Sequence, residues 1–290
     1  MRPEDIAFDD DAFEVPTTRA PIRVRWLGTA GFEIEHDGHT LLIDPYLTRA
    51  SLLDCARAPL RPDVARVHRY APRADAIVAG HTHFDHVLDV PAIANATGAK
   101  VFGSRSCAAL CRLAGVPEDQ VIDVESVRSR EPVRAEVGPF DLRFVPSCHS
   151  SFLFGHIPSP GDISDCDQVP LRTEAYRCGA VFGVDVRVAG RRLYHLGSAD
   201  LLDGYPERDV DLLLMCVAGW TTTERFTQRV MGSLRPGAIL LSHWDNFFMP
   251  IERGAKALPA MKMPRLIDKL TAIDPSVRIG TVSMLGSVSI

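Results

Sequence analysis

The chain has 290 residues, 46% hydrophobic and 24% charged, with 32 basic residues against 37 acidic ones. This is the composition of an ordinary globular protein able to bury a substantial core, and its net charge of -5 gives no electrostatic reason to expect nucleic acid or an anionic membrane surface as partner. Seven cysteines, scattered, odd in number and without CxxC spacing, exclude a disulfide framework or a zinc ribbon as the organising device.

The first 20 residues are acidic and read as a loosely held arm. They lack the cationic and apolar regions of a signal peptide, and no later apolar run approaches the ~20 residues that span a bilayer, so a cytoplasmic protein is expected. Residues 21–290 read as a single domain, since no linker or repeat divides them. IRVRWLG (22–28), GFEIEH (31–36) and HTLLIDP (39–45) are branched and aromatic runs broken by glycines and by an Asp37-Gly38 turn signal, which predicts a meander of strands. A Pro- and Arg-rich stretch (57–73) precedes ADAIVAG (74–80), a short buried strand leading into GHTHFDH. VLDVPAIANATG then reads as a helix with Pro91 in its first turn and Gly98 closing it.

Strands at 99–103, near 121–124, 133–137 and 140–146 follow, with a helix over 106–115 between the first two. Residues 150–178 show little periodicity and read as one elaborate loop. Beyond it lie AVFGVDVRV and RRLYHLG as a hairpin around Ala189-Gly190, VDLLLMCV as a strand, a helix near 222–231, GAILLS, a helix near 264–272 and two short strands. Strand clusters followed by strand and helix alternation in both halves predict two sheets face to face with helices outside.

Three of the 10 histidines fall within residues 81–86, HTHFDH. His81 and His83 are two apart in an extended segment, so their rings point to one side, as ligands of one ion must. Asp85 and His86 follow where the chain turns into a helix and can face a second position. Imidazole and carboxylate donors together suit zinc, iron or manganese.

HTHFDH resembles the HxHxDH signature of the metallo-β-lactamase superfamily, and WLGTAGFEIEHDGHTLLIDPYL (26–47) resembles the opening hairpins of its branch containing ascorbate phosphate lactonases and N-acylphosphatidylethanolamine phospholipase D enzymes. The resemblance implies an α/β fold, a four-layer αββα sandwich of two mixed sheets with helices on the outer faces and a metal site along one sheet edge. It implies that His81, His83 and His149 hold one metal and Asp85, His86 and His243 the other, with Asp44 orienting a ligating histidine. His149 and His243 each stand where an apolar run stops, which is independent support. The family's bridging aspartate directly follows a glycine after a strand; here Ser198 stands at that place in Gly197-Ser198-Ala199-Asp200. Either the loop curls to present Asp200 or the bridge is missing, and we assign Asp200 to the ligand set. Two zinc ions per chain are expected, with manganese or iron as alternatives.

Plainer readings compete. A closed structural zinc site is usually rich in cysteine, unlike this set of nitrogen and oxygen donors. His195 alternates within a strand and reads as satisfying a nearby carbonyl, and Cys148 points away from His149 if the segment stays extended. Asp203 and Asp245 are explained equally well as solvated turn acids. There is no GxSxG elbow for a serine nucleophile and no GxGxxG for a dinucleotide.

Metal ions lower the pKa of bound water from 15.7 toward ~7, so the expected activity is attack of a metal-bound hydroxide on a carboxylic ester, lactone or amide, or on a phosphodiester, with Asp85 as ligand and base. The alternative is a non-catalytic binding protein of the same fold with a degraded second metal site. A small-molecule substrate is expected, walled by the loop at 150–178, with Phe152, Phe154, Trp244, Phe247 and Phe248 as an apolar mouth. Arg172 and Arg177 are candidate clamps for a substrate anion. The sequence leaves the oligomeric state open.

Overall fold

The computed structural model describes residues 21–125, 132–151, 156–204 and 208–290. The acidic arm expected over 1–20 lies outside them. Three antiparallel strands open the fold, β1 (Arg23–Gly28), β2 (Gly31–His36) and β3 (His39–Ile43). Asp37 and Gly38 join β2 to β3 with φ of 49° and 79°, the left-handed pair that a two-residue hairpin needs. Two short helices follow, α1 (Leu52–Arg57) and α2 (Val64–Tyr70). The sequence reading missed both, because its Pro/Arg signal concealed the caps: Ser51 accepts from the Asp54 amide and Asp63 from that of Arg66.

Next come β4 (Ala76–Val78), α3 (Phe84–Val87), α4 (Val90–Thr97), β5 (Lys100–Gly103), α5 (Arg105–Leu113) and β6 (Val121–Asp123). Strands β3 to β6 run parallel, and β14 (Ser287–Ser289) closes the other edge, giving a seven-stranded sheet ordered β14-β1-β2-β3-β4-β5-β6. The second sheet, also of seven strands, is ordered β13-β12-β11-β10-β9-β8-β7. Its members are β7 (Val133–Val137), β8 (Phe140–Ser147), β9 (Val181–Val188), β10 (Arg191–Leu196), β11 (Leu212–Cys216), β12 (Ala238–Ser242) and β13 (Arg278–Gly280). Helices α6 (Phe226–Leu234) and α7 (Met263–Ile273) pack on each other beside it. Both sheets are mixed: β14-β1-β2-β3 and β7-β8-β9-β10 pair antiparallel, and β3 to β6 and β10 to β13 pair parallel.

Alternation along the strands sorts side chains into two buried layers. Leu41, Ile43, Ala76 and Val78 face the second sheet and share one core with Phe144, Val184, Val186 and Leu240. Leu42, Ile77 and Val101 face the other way, against Val67, Ile93, Leu110 and Cys111 of the covering helices. Strands β11 and β12 are buried at every position, as expected of parallel strands covered on both faces. The sequence placed α6 four residues early. Thr222 and Thr223 are turn residues whose hydroxyls donate to the Ser151 and Ala199 carbonyls, and Arg225 is left-handed (φ 48°), so the helix begins only at Phe226.

Candidate metal centre

The HTHFDH segment leaves β4 in extended form as far as His83 (φ -66°, ψ 151°) and turns helical at Phe84. That change of period puts His81 and His83 on one side and Asp85 and His86 on the other. His81 Nε2 and His83 Nδ1 stand 3.1 Å apart, and the His149 ring lies 4.9 Å from that of His81 and 4.7 Å from that of His83. Asp85 Oδ2 lies 3.2 Å from His243 Nε2 and 3.9 Å from His86 Nε2. Three groups have donor atoms within 4.8 Å of one another, His81/His83/His149, Asp85/His86/His243 and Asp44/His81/His86; the first two share no residue and form two triads, while Asp44 in the third faces Nδ1 of His86 and backs that ring.

Three of the donor rings, His86, His83 and His149, are held from behind. Asp44, left-handed at φ 47° just after β3, accepts from the Gly80 amide at 2.6 Å through Oδ1 and places Oδ2 2.8 Å from His86 Nδ1. A proton on that nitrogen leaves His86 Nε2 as a free lone pair. The fit around Asp44 is close: a Cβ on Gly197 would come within 2.7 Å of Oδ2. Pro158 O sits 2.8 Å from His83 Nε2 and Ser150 O 2.7 Å from His149 Nδ1, which leaves Nδ1 of His83 and Nε2 of His149 facing the site. The Ser150 amide donates to Ser198 Oγ at 3.0 Å and anchors the His149 segment.

His243 is left-handed (φ 59°), and its amide donates to Thr29 O at 2.7 Å. The same loop is fastened by a buried ion pair: Asp245 accepts from the Thr29 amide at 3.0 Å and pairs with Arg49, whose guanidinium also reaches Thr29 Oγ1 at 2.8 Å and Met249 O at 3.2 Å. Phe247 lies 5.2 Å from the His243 ring and packs with Phe248 and Phe84 as an aromatic wall.

Electrostatics divides the two triads. Burial and the neighbouring imidazoles push His81 well below its ordinary value; burial likewise lowers His83 and takes His149 to about 4. Those three rings are neutral at pH 7 and offer lone pairs. Burial works against charge on His86 and Asp85 as well, but Asp44 and Asp85 raise His86, while His86 and His243 draw Asp85 below the carboxylate range. Buried Nδ1 atoms of His81 and His243 have no hydrogen-bond partner. The nitrogens that face the site are the opposite ones: His81 Nε2 lies 3.1 Å from His83 Nδ1 and His243 Nε2 3.2 Å from Asp85 Oδ2, and lone pairs of neutral imidazoles crowded this closely, with a carboxylate among them, are a donor set that fits a divalent metal.

Of the residues singled out from the sequence, the fold brings together Asp44, His81, His83, Asp85, His86, His149 and His243. It does not bring Asp200 to them. Asp200 Oδ1 lies 2.7 Å from Arg229 of α6 and 2.8 Å from the Leu201 amide, so the ligand role assigned to it is corrected: this guanidinium already holds the carboxylate. Trp244 is corrected too. Its indole is 1% exposed, lies 4.9 Å from that of Trp26 and donates to Thr281 Oγ1 at 2.9 Å, so it belongs to the core and not to a mouth. Phe152 and Phe154 lie outside the described residues. His195 donates to Ala30 O at 2.8 Å, the carbonyl role expected of it. Asp245, read equally as a solvated turn acid, is fully buried, whereas Asp203 is exposed and pairs with Arg229. Arg172 and Arg177 are engaged by Glu174 and by the Asp162 carbonyl. Phe84, Arg49 and Ser150 escaped the sequence reading as parts of the site, and only Phe84, inside the histidine motif, carried a local signal; Ser198, noted there at the place of an aspartate, accepts from the Ser150 amide.

A family model described as a beta-lactamase superfamily domain matches residues 39–267. The chain is 29% identical over 237 residues to a UPF0173 metal-dependent hydrolase of Anaeromyxobacter sp. (strain K), covering 79% of this chain and 77% of that one. It is 25% identical over 260 residues to a UPF0173 metal-dependent hydrolase of Thermodesulfovibrio yellowstonii, covering 85% and 88%. Among solved structures, Igni18, a metallo hydrolase from Ignicoccus hospitalis, superposes with a TM-score of 0.54 at 17% identity, covering 93% of this chain and 98% of that one. CmlA, a diiron beta-hydroxylase from Streptomyces venezuelae, gives 0.57 at 14% identity, covering 95% and 55%. Those two likenesses show a shared fold of two mixed sheets with helices, and it is the family match over most of the length that establishes that this chain belongs to the metallo-β-lactamase superfamily.

Proposed function

We propose that His81, His83 and His149 hold one zinc ion and Asp85, His86 and His243 a second, and that the site hydrolyses a carboxylic ester, lactone, amide or phosphodiester of a small molecule. The family match and relatives named metal-dependent hydrolases support metal-dependent hydrolysis; the proposal concerns which residues carry that activity and on what bond. The observation behind it is the convergence of two donor triads, one of three neutral imidazoles and one containing an anion, at adjoining ends of β4, β8 and β12.

When bound, a divalent ion supplies an acidified water and polarises a carbonyl or phosphoryl oxygen. The protein does the rest. Asp85, held anionic by His86 and His243, is too weak a base to keep a proton, but its carboxylate can accept a hydrogen bond and aim the attacking water. Asp44 fixes the His86 tautomer and keeps its Nε2 directed at the site. The aromatic wall of Phe84, Phe247 and Phe248 excludes bulk water from the His243 side.

The test is metal content by elemental mass spectrometry in the purified protein, in His83→Ala and in His243→Ala. Near two ions per chain, reduced in each variant, supports the reading. A single ion that His243→Ala leaves in place refutes the second site, and no ion after reconstitution moves the chain to the non-catalytic, ligand-binding reading.

A further inference from the structure

Beside the metal centre the two sheets part at their edges, where β6 ends one and β7 the other, and a cavity of about 460 Å³ opens between them. Its walls are the side chains of Val124, Val133, Phe144, Ile157 and Phe182, and His149 stands at one end. The loop that carries Ile157, Pro160 and Gly161 along the cavity also presents the Pro158 carbonyl to His83, so one segment borders both the cavity and the first triad. That segment is tied to the floor of the site: the Cys178 amide donates to Ser159 O at 2.8 Å, and the Thr82 amide to Cys178 O at 2.9 Å. Ile157 at the rim is 37% exposed, an apolar side chain left facing solvent at the mouth.

Small-molecule sites are concave, mostly apolar and roughly 300–1,000 Å³, with a few polar groups that fix orientation. This cavity has that size and lining, and its polar end is a candidate metal ligand. We infer that it seats the apolar tail of the substrate, a carboxylic ester or lactone whose carbonyl reaches His83 and His149 while an aliphatic chain lies between the sheet edges against Phe144 and Phe182. This rests on the hydrolase reading for the position of the carbonyl. The seat for the chain rests on the walls alone.

The experiment separates the two. Binding of hexanoate, octanoate and decanoate is followed by calorimetry in metal-free and metal-loaded protein, and hydrolysis of p-nitrophenyl acetate, butyrate, hexanoate and octanoate in loaded protein. Affinity should rise about fourfold per methylene in both forms, as burial of an alkyl chain requires, and kcat/KM should climb with it. Ile157→Trp, which fills the mouth from an exposed position, should abolish the chain-length dependence of binding and of kcat/KM while metal content stays unchanged. Ala180→Trp, inside the cavity, should do the same where its circular dichroism matches the parent. Chain-length-independent binding, or a dependence that survives both variants, overturns the tail site. No ester hydrolysis despite full metal content overturns the ester reading, while the carboxylate titrations still decide the cavity.

Discussion

Replacing Asp245 by alanine should both destabilise the protein and empty the His243 side of the metal centre. Asp245 and Arg49 have side chains 0% and 1% exposed, and each is the other's only partner of opposite charge in the hydrogen bonds and ion pairs described above. Breaking a buried pair by removing one partner costs about 3–5 kcal/mol, because the remaining charge stays desolvated. The Thr29 amide loses its acceptor at the same time, worth a further ~1–3 kcal/mol. Arg49 keeps Thr29 Oγ1, Met249 O and Asn246 O at 2.8, 3.2 and 3.3 Å, which holds the total toward the lower end, near 4 kcal/mol. At roughly 2–4 °C per kcal/mol for a chain of this order, the melting temperature should fall by about 10 °C. The Thr29 carbonyl that receives the His243 amide belongs to the same loop, so metal bound at His243 should weaken as well. Scanning calorimetry and elemental analysis of Asp245→Ala, beside an Arg49→Met/Asp245→Leu double variant, give the readout. The double variant should recover most of the stability, since an apolar pair of similar volume carries no stranded charge. A single variant melting within about 2 °C of the parent, or a double variant no better than the single one, would sink the reasoning.

Asp200→Ala should leave metal stoichiometry unchanged, because Asp200 is engaged by Arg229 and not by the donor triads; a lost ion would return it to the ligand set. Gly197→Ala should displace Asp44, since its methyl would sit 2.7 Å from Oδ2, and should weaken metal binding at least tenfold in a chelator competition, where an unchanged affinity would show that Asp44 does not orient His86. Asp89 is fully buried, and burial outweighs hydrogen bonds from the Leu47 and Thr48 amides to raise its pKa to about 6. A carboxyl raised in the fold contributes stability that is complete below its unfolded pKa of about 4 and lost as pH rises through about 6, so Asp89→Asn should remove on the order of 3 kcal/mol of pH dependence between those limits. Urea titrations at pH 4 and 7 measure it, and parallel curves for parent and variant would contradict the assignment.

How much of this was legible in the sequence depends on how local each signal was. His81, His83, Asp85 and His86 could be read because one extended-to-helical change of period within six residues fixes where their side chains go. His149 and His243 were legible as strand ends with a family register behind them. Asp200 misled because nothing near it in sequence announces Arg229, which arrives from a helix in another part of the chain. Trp244 misled by adjacency: the residue after His243 turns toward Trp26 and the core, not toward the site. Arg49 has no local signature at all, since its significance comes from Asp245, nearly two hundred positions away.

The donors are gathered by the backbone rather than by proximity in sequence. The first sheet contributes Asp44 and the histidine cluster, the second contributes His149 and His243, and backbone hydrogen bonds stitch the two across the seam: the Phe182 amide donates to Gly80 O at 2.8 Å, that of Thr82 to Cys178 O at 2.9 Å and that of His243 to Thr29 O at 2.7 Å. These ties need no ion, so the fold itself sets the donor spacing. They are not evenly distributed. The Asp85 triad has an anion within it, a second anion behind His86 and a buried ion pair beneath His243. The His149 triad is neutral, and its ring hangs on a segment fastened by the Ser150 amide to Ser198 and by the Ser150 hydroxyl to the Ala218 carbonyl. Ser198 thus serves a hydrogen bond where a carboxylate would have placed charge between the triads, so cation attraction in this centre falls on Asp85 and Asp44, on the side of the site that the fold holds most firmly.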